Sequence, residues 1–447
     1  MRFQRDATFM KHKNWLALPL ALFCIVYPQS YAHASTITAV SCSSSSVQAA
    51  VNSANAGDTV SVPGGSCTYT SAVSVPSTLA ITINGNGNTT ITTSAQNAFH
   101  ISAAASAATR ITGFTFVTSG VVNDSQSPII VSGSTSTFPF RIDHNTFNES
   151  DPGTFMSLSG NAPGLIDHNT MTMGCSGEMI HNLGLGATNN GGWMDNVTPG
   201  SSSMLYIETN TASVGNVTGS CNASGPPYYF YGTALVQSYY GARTVIRYNT
   251  MTMVHIDQHG TAGMIGARWF EIYNNNFNVV PNGSQSDYIH LRDGTGVVFN
   301  NKHSDSNNLA GAVGVNFDND NTSGSWALAY QIGAGIGAVS NGYATCSGGS
   351  LNASPTYTWG NTDSQGTSGA MPVSSSSSYV VSGRDFLSQS SQPSSLLRQQ
   401  QTGDTCSTTY SYNPFTYPYP LDANGLPVPG SSSQALPPPV SLSAVAH

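Results

Sequence analysis

Charged residues are scarce in this sequence. Asp, Glu, Lys and Arg make up 8 % of its 447 residues, against about 25 % in a typical globular domain. Lysine occurs three times, as Lys11, Lys13 and Lys302, and the formal net charge is −8. A nucleic-acid partner is excluded by that balance, because no basic patch exists to displace counterions from phosphates. No CxxC pair occurs, which removes the usual zinc-site spacing. The most apolar run, Trp15 to Tyr27, is 13 residues long, well short of the roughly 20 needed to span a bilayer. Gly333 to Gly337 reads GAGIG, but it lacks the strand–helix setting of a nucleotide loop. Helical periodicity is confined to one short stretch near the start.

What is present begins with an export signal. Trp15 to Tyr27 is uncharged and mainly apolar, and Ala32-His33-Ala34 is a small-x-small cleavage site before Ser35. A start at Met10 would give a more usual charged region. Residues 1–34 hold four of the 13 basic and one of the 21 acidic residues, which leaves 9 against 20 and a formal charge of −11. Six cysteines remain: Cys42, Cys67, Cys175, Cys221, Cys346 and Cys406. An even number in an exported chain points to three disulfides. Nearness in sequence favours Cys42–Cys67, Cys175–Cys221 and Cys346–Cys406.

A repeat organises the rest. Ile142-Asp143-His144-Asn145, Ile166-Asp167-His168-Asn169, Ile207-Glu208-Thr209-Asn210, Ile246-Arg247-Tyr248-Asn249, Ile272-Tyr273-Asn274-Asn275 and Val298-Phe299-Asn300-Asn301 share one pattern. The Asn residues are spaced by 24, 41, 39, 26 and 26. A weaker copy ends at Asn361. The period marks a solenoid whose coils bury their apolar faces only by stacking. The flanking text alternates apolar and polar residues and is rich in Val, Ile and Thr, so the coils are strands. The pattern predicts an all-β parallel β-helix with Asn stacked on Asn.

One helix is expected from Ser43 to Gly57. Val47, Ala50, Val51 and Ala54 fall on one face, and a serine run precedes them. It would cap the open end of the solenoid. Coils are expected at Leu79–Ile83 and Arg110–Phe116, with inserted loops between Gly174 and Gly241. The chain divides into a signal at 1–34, a β-helix at 35–387 and a Ser/Gln/Pro-rich tail at 388–447. Within that tail Tyr417-Pro418-Tyr419-Pro420 is expected to pack back on the solenoid, and Ser431–His447 to be disordered.

Two outward columns carry the chemistry. The residue after each inward Ile points out, giving Asp143, Asp167, Glu208, Arg247, Tyr273 and Phe299. Three carboxylates about 4.8 Å apart repel and need a cation or an arginine. Asp143, Asp167 and Glu208 are therefore candidate ligands for calcium, or partners of Arg141 and Arg247. The second column aligns His255-Ile256-Asp257 with His290-Leu291-Arg292 and Asn316-Phe317-Asp318. With His259, Arg268 and Glu271 nearby, it would gather His, Asp and Arg on one outer face.

The cap helix, GDTVSVPGG from Gly57 to Gly65, the IDHNTF-type coils, YNNNF and GTGVVFNN resemble the secreted right-handed parallel β-helix proteins of the pectin-lyase-like superfamily. The resemblance covers Thr36 to about Phe386. It implies an acidic-polysaccharide partner and, for a lyase, removal of the proton α to a uronic carboxylate. The subfamily motifs differ. Trp193-Met194-Asp195-Asn196 ends in Asn where pectate lyases have His, and the polygalacturonase motifs are absent. An atypical polysaccharide lyase is the leading expectation, with a non-catalytic glycan-binding β-helix and a glycoside hydrolase as alternatives. In the lyase reading His259 is the base, oriented by Asp257. Arg268 and Arg292, with Arg247, hold the substrate carboxylate. His255, His290, Arg243 and Glu271 contact substrate.

Overall fold

A computed structural model describes residues 34–420, apart from 185–196, 216–227, 304–312, 319–353, 399–407 and shorter stretches between strands. The signal at 1–33, the motif at 193–196, the GAGIG segment and the tail from 421 lie outside the described residues. So do Cys175, Cys221, Cys346 and Cys406. Cys42 and Cys67 form a disulfide.

From Ala34 to Gln389 the described residues form a parallel β-helix. A 20-stranded sheet bends at the Asn turn to make two faces, and a 10-stranded sheet makes the third. On the first face Phe140–Asp143, Gly164–Asp167, Leu205–Glu208, Arg243–Arg247, Trp269–Tyr273, Thr295–Phe299 and Thr356–Trp359 pair in parallel, in that order. The register puts Ile142, Ile166, Ile207, Ile246, Ile272 and Val298 in one inward row, every one fully buried. Branched side chains suit such a row, since they pack on neighbours one strand away with little loss of rotamer freedom.

The turn after this face is a ladder of amides. Asn145 Nδ2 donates to Asn169 Oδ1, Asn169 to Asn210, Asn210 to Asn249, Asn249 to Asn275, Asn275 to Asn301 and Asn301 to Asn361, at 2.9–3.2 Å. Each Oδ1 also accepts the backbone N–H of the Asn one coil earlier, as Asn275 Oδ1 does from Asn249 at 3.1 Å. Each Nδ2 also reaches a carbonyl of the previous coil, as Asn275 reaches Ile246 at 2.9 Å. The residue before each Asn is left-handed: His144, His168, Thr209, Tyr248, Asn274 and Asn300 have φ of 52–59°, and Gly360 has 63°. That conformation costs a non-glycine residue about 1–2 kcal/mol, and the ladder holds it.

The first helix is shorter than expected. It spans Ser44–Ser53, with Ser43 as N-cap and Val47, Ala50 and Val51 buried. Ala54 is already extended, with ψ 150°. The reason is Asp58, whose carboxylate takes the backbone N–H of Asn55 at 2.8 Å and of Ser35 at 2.7 Å and ties the chain into the first strands.

The tail covers the first face. Leu396–Arg398 pairs antiparallel with Thr408–Tyr410, and the segment to Tyr419 then lies across the outer side chains. Tyr417 stacks on Tyr248 with centroids 3.7 Å apart. Beneath it Tyr206, Trp269, Tyr273, Phe299 and Trp359 pack with Tyr412, Phe415 and Tyr419 as a second apolar cluster outside the solenoid core.

Asn275→Ala should expose the ladder's weight. It would remove the acceptor of Asn249 N–H, one of the acceptors of Asn249 Nδ2 and the amide donor to the Ile246 carbonyl, and should lower stability by roughly 2–4 kcal/mol. Urea unfolding checks this, and a midpoint equal to that of the parent would contradict it.

Candidate functional site

The carboxylate column sits where the spacing placed it. Asp143, Asp167, Glu208, Arg247, Tyr273 and Phe299 follow in register. Each carboxylate is held by an arginine. Arg110 Nε donates to Asp143 at 2.7 Å, Arg141 Nη2 to Asp167 at 2.7 Å and Arg247 Nε to Glu208 at 2.6 Å. The side chains of Asp143, Asp167 and Glu208 are buried. The guanidinium groups hold Asp143 below the usual carboxylate range, against the opposing effect of burial. With its oxygens engaged in this way, the set does not fit a calcium site, and its charge is balanced without a cation.

Arg247 and Glu271 belong to the covered face. Arg247 is fully buried and donates to the carbonyls of Phe415 at 2.7 Å and Thr416 at 2.9 Å. Glu271 accepts from Gly200 N–H at 2.7 Å, Trp269 Nε1 at 3.0 Å and Tyr412 OH at 2.7 Å. Burial pushes its pKa up. Arg243 starts the Arg243–Arg247 strand on the same sheet, and Arg268 is 1 % exposed beside it. Arg247 and Glu271 therefore face the tail and not the His259 surface.

The third face is different. Its strands Met156–Ser159, Glu178–Leu183, Ala234–Tyr239, His255–Gln258, Asp287–Leu291 and Val313–Phe317 pair in parallel. The register differs from the one expected at His255–Gln258, where Asp257 lies beside His290. His290 stacks beside Asn316 as expected. His259 N–H bonds to Ser238 and Arg292 N–H to Gln258, at 3.1 and 2.9 Å, so His259 and Arg292 are neighbours. His255 therefore does not stack on His290, nor Asp257 on Arg292. Ile289 and Leu291 both point inward, and either could centre the alignment. A shift of two residues keeps every side chain on its face, and here Ile256 pairs with Ile289.

Two outer columns result. One runs His181, Gln237, Asp257, His290, Asn316. The other runs Tyr239, His259, Arg292, Asp318. Arg292 bridges them: Nη2 donates to Asp257 at 2.9 Å and Nη1 meets His259 Nε2 at 3.0 Å. A guanidinium only donates, so in this contact His259 Nε2 is the acceptor and its imidazole is neutral. Tyr239 stacks on His259 with centroids 4.5 Å apart, and its hydroxyl donates to Gln237. Burial first, then the carboxylates of Glu178 and Asp257, push the Tyr239 pKa up and keep it protonated. At His290 burial acts to lower the pKa, but Asp318 at 3.5 Å and Asp287 at 3.8 Å outweigh it and raise the pKa.

Directly beneath, the core changes character. Asn182, Ser238 and Gln258 point inward between Leu158 and Leu291 in the same row, and all three are buried. Polar residues occupy the core in the coils that carry the outer His, Tyr and Arg, and local departures from core rules mark functional sites. Sequence reading missed Tyr239 and Gln237. Extending the two outward columns back one coil, from Asp257 and from His259, would have found both.

Against known proteins, no family model and no curated protein matches the chain. Among solved structures it is similar to the PL6-family alginate lyase AlyGC, with a TM-score of 0.27 and 14 % identity over 91 % of this chain and 59 % of that one. An arginine-to-alanine variant of that enzyme gives a TM-score of 0.27, 12 % identity and the same coverage. The chain thus spans about 59 % of the length of those proteins.

Two outcomes follow. Burial lowers the His255 pKa from its ordinary 6.5 to about 4. Between those values the unfolded chain takes up a proton that the fold refuses, so stability falls as pH drops through this window. The loss is about 3 kcal/mol at its limit, and His255→Gln should show a correspondingly smaller fall in urea-unfolding free energy between pH 7 and pH 4. Arg247→Ala should cost about 3–5 kcal/mol, since it leaves Glu208 buried without its partner. It should also speed limited proteolysis near Phe415, and an unchanged digestion pattern would count against the covering role.

Proposed function

We propose that the protein is an extracellular polysaccharide lyase that cleaves a uronic-acid polymer by β-elimination on the outer surface of the third face. The observation that carries this reading is the chain Tyr239–His259–Arg292–Asp257: a protonated phenol, a neutral imidazole and a guanidinium fixed by a buried carboxylate, all in contact. Arg292 would neutralise the uronate carboxylate and the charge that grows on it after proton removal. Engaging the uronate would turn the guanidinium away from His259 Nε2 and free its lone pair for the C5 proton. The C4–O bond then breaks as the C4–C5 double bond forms. Tyr239 gives its proton to the leaving oxygen, and exchange with solvent resets both groups. Arg268 takes no direct part in this scheme, being almost fully buried.

The Cys42–Cys67 disulfide supports an oxidising, extracellular setting. We propose the leader at 1–34 as the export signal that delivers the chain there. Among the described residues no helix is long and apolar enough to cross a membrane. Hydrolysis is the weaker reading, because it calls for a pair of working carboxylates. On this face Asp257 is fully buried and tied to Arg292.

The test is a screen of the mature chain on uronic-acid polymers, read by the ultraviolet absorbance of an unsaturated product. On a substrate the parent cleaves, His259→Ala should lower kcat by at least about 100-fold with the melting temperature nearly unchanged. Arg292→Ala should weaken both binding and turnover, and Tyr239→Phe should lower kcat alone. Full activity in His259→Ala would remove it as the base. Binding without cleavage by the parent would favour a non-catalytic glycan-binding role.

A further inference from the structure

We infer that Asp124, Glu178 and His181 form a binding site for a divalent first-row transition metal ion of the Zn2+ or Mn2+ kind. The inference stands apart from the lyase reading, since it concerns binding and not turnover.

The residues converge from separated coils. Glu178 and His181 lie on the strand Glu178–Leu183. Asp124 comes from the short turn Asp124–Gln126 that precedes the strand Ile129–Ser132. That strand pairs with Met156–Ser159, and Met156–Ser159 pairs with the Glu178 strand. One ligand-type atom from each of the three side chains lies within 4.8 Å of the others. Thr154 Oγ1 donates to Asp124 Oδ1 at 3.0 Å and orients that carboxylate, the kind of outer support that metal ligands receive.

The contacts inside the group are close but poorly satisfied. Glu178 Oε1 is 2.8 Å from His181 Nδ1, and Asp124 Oδ2 is 3.3 Å from Nε2. Yet Nδ1 is buried without an aligned hydrogen bond among the described residues, and so is Glu178 Oε2. The His181 side chain is only 9 % exposed. Two carboxylates share this space. A divalent cation would satisfy the ring nitrogen and both carboxylates at once.

The donor set selects the metal class. Calcium takes 6–8 oxygens, whereas one imidazole with two carboxylates suits zinc, manganese and their neighbours. Three protein ligands leave coordination positions for water or a bound group. Asp124 is 42 % exposed, so those positions face outward. The His181 ring lies 5.1 Å from Tyr239, which puts the ion at the edge of the Tyr239–His259 surface.

The experiment is calorimetric titration of the untagged mature chain, stripped with chelator, with zinc chloride, manganese chloride and calcium chloride in turn. The expected result is one zinc or manganese ion per chain, bound at about 10 μM or tighter. Asp124→Asn and His181→Gln should each weaken binding at least about tenfold. A His144→Ala, His168→Ala double variant should bind as the parent does, which excludes the exposed stacked imidazoles of that pair. Circular dichroism establishes folding, and Asp124→Asn, at a half-exposed site, decides the matter if His181→Gln does not fold. Three outcomes would overturn the inference: no zinc or manganese binding tighter than about 1 mM, equal binding by both variants, or calcium bound more tightly than either metal.

Discussion

The amide ladder governs this molecule, because each rung can bond only to a rung one strand spacing away. An asparagine side chain has two donors and an acceptor. Here it uses them to tie its own turn to the coils on either side. Asn169, for example, reaches Asn210 across 41 residues of sequence at 3.0 Å, the same rung distance that Asn249 keeps to Asn275 across 26. Inserted residues must therefore leave the coil elsewhere, and they do so between the second and third faces and beyond. The ladder also forces a left-handed residue in front of every Asn. His144 and His168 are there for that reason, and Asn274 and Asn300 accept the conformation readily. Once the rungs are aligned, the neighbouring rows follow: isoleucine inward, charge and aromatic residues outward.

The outward row on the first face shows how a chain with few charges uses them. Arg110, Arg141 and Arg247 each reach a carboxylate on an adjacent coil. Like charges stacked along a sheet are unfavourable, and this stagger turns them into pairs. At the end of the row the pairing becomes a lid contact. Arg247 and Glu208 are both buried, a state that costs more in lost hydration than the pair returns unless further bonds are made. Those bonds come from the Phe415 and Thr416 carbonyls and from Tyr419 N–H. The ion pair and the tail stabilise each other, and the aromatic rings around them supply the apolar burial.

The third face carries a different kind of outer surface. Its outer columns bring a phenol, three imidazoles, a guanidinium and several carboxylates together in consecutive coils. Beneath them Asn182, Ser238 and Gln258 interrupt the apolar core. The two outer surfaces use the same strand register for opposite ends. One locks the chain's own tail in place, and the other presents polar groups outward.

The sequence by itself determined the coil. A repeated apolar-x-x-Asn unit with in-register Asn can hardly be read another way, because periodicity in a solenoid is local and each coil repeats the same physics. It also determined the order of the Asp143-to-Phe299 row, since that row is counted from the Asn. The third face was legible only in part. His290 stacks beside Asn316 as counted, but no asparagine pins the coil before it, so Ile289 and Leu291 were equal candidates for the partner of Ile256, and a slip of two costs the pattern nothing. Tertiary structure alone decided that His259 meets Arg292, that Asp257 meets His290, and that Asp124 arrives beside His181. It alone decided that Arg247 is shut beneath Phe415, a partner 168 residues away. Such pairings depend on which loops close over which face, and that follows from packing between distant segments, which no local pattern records.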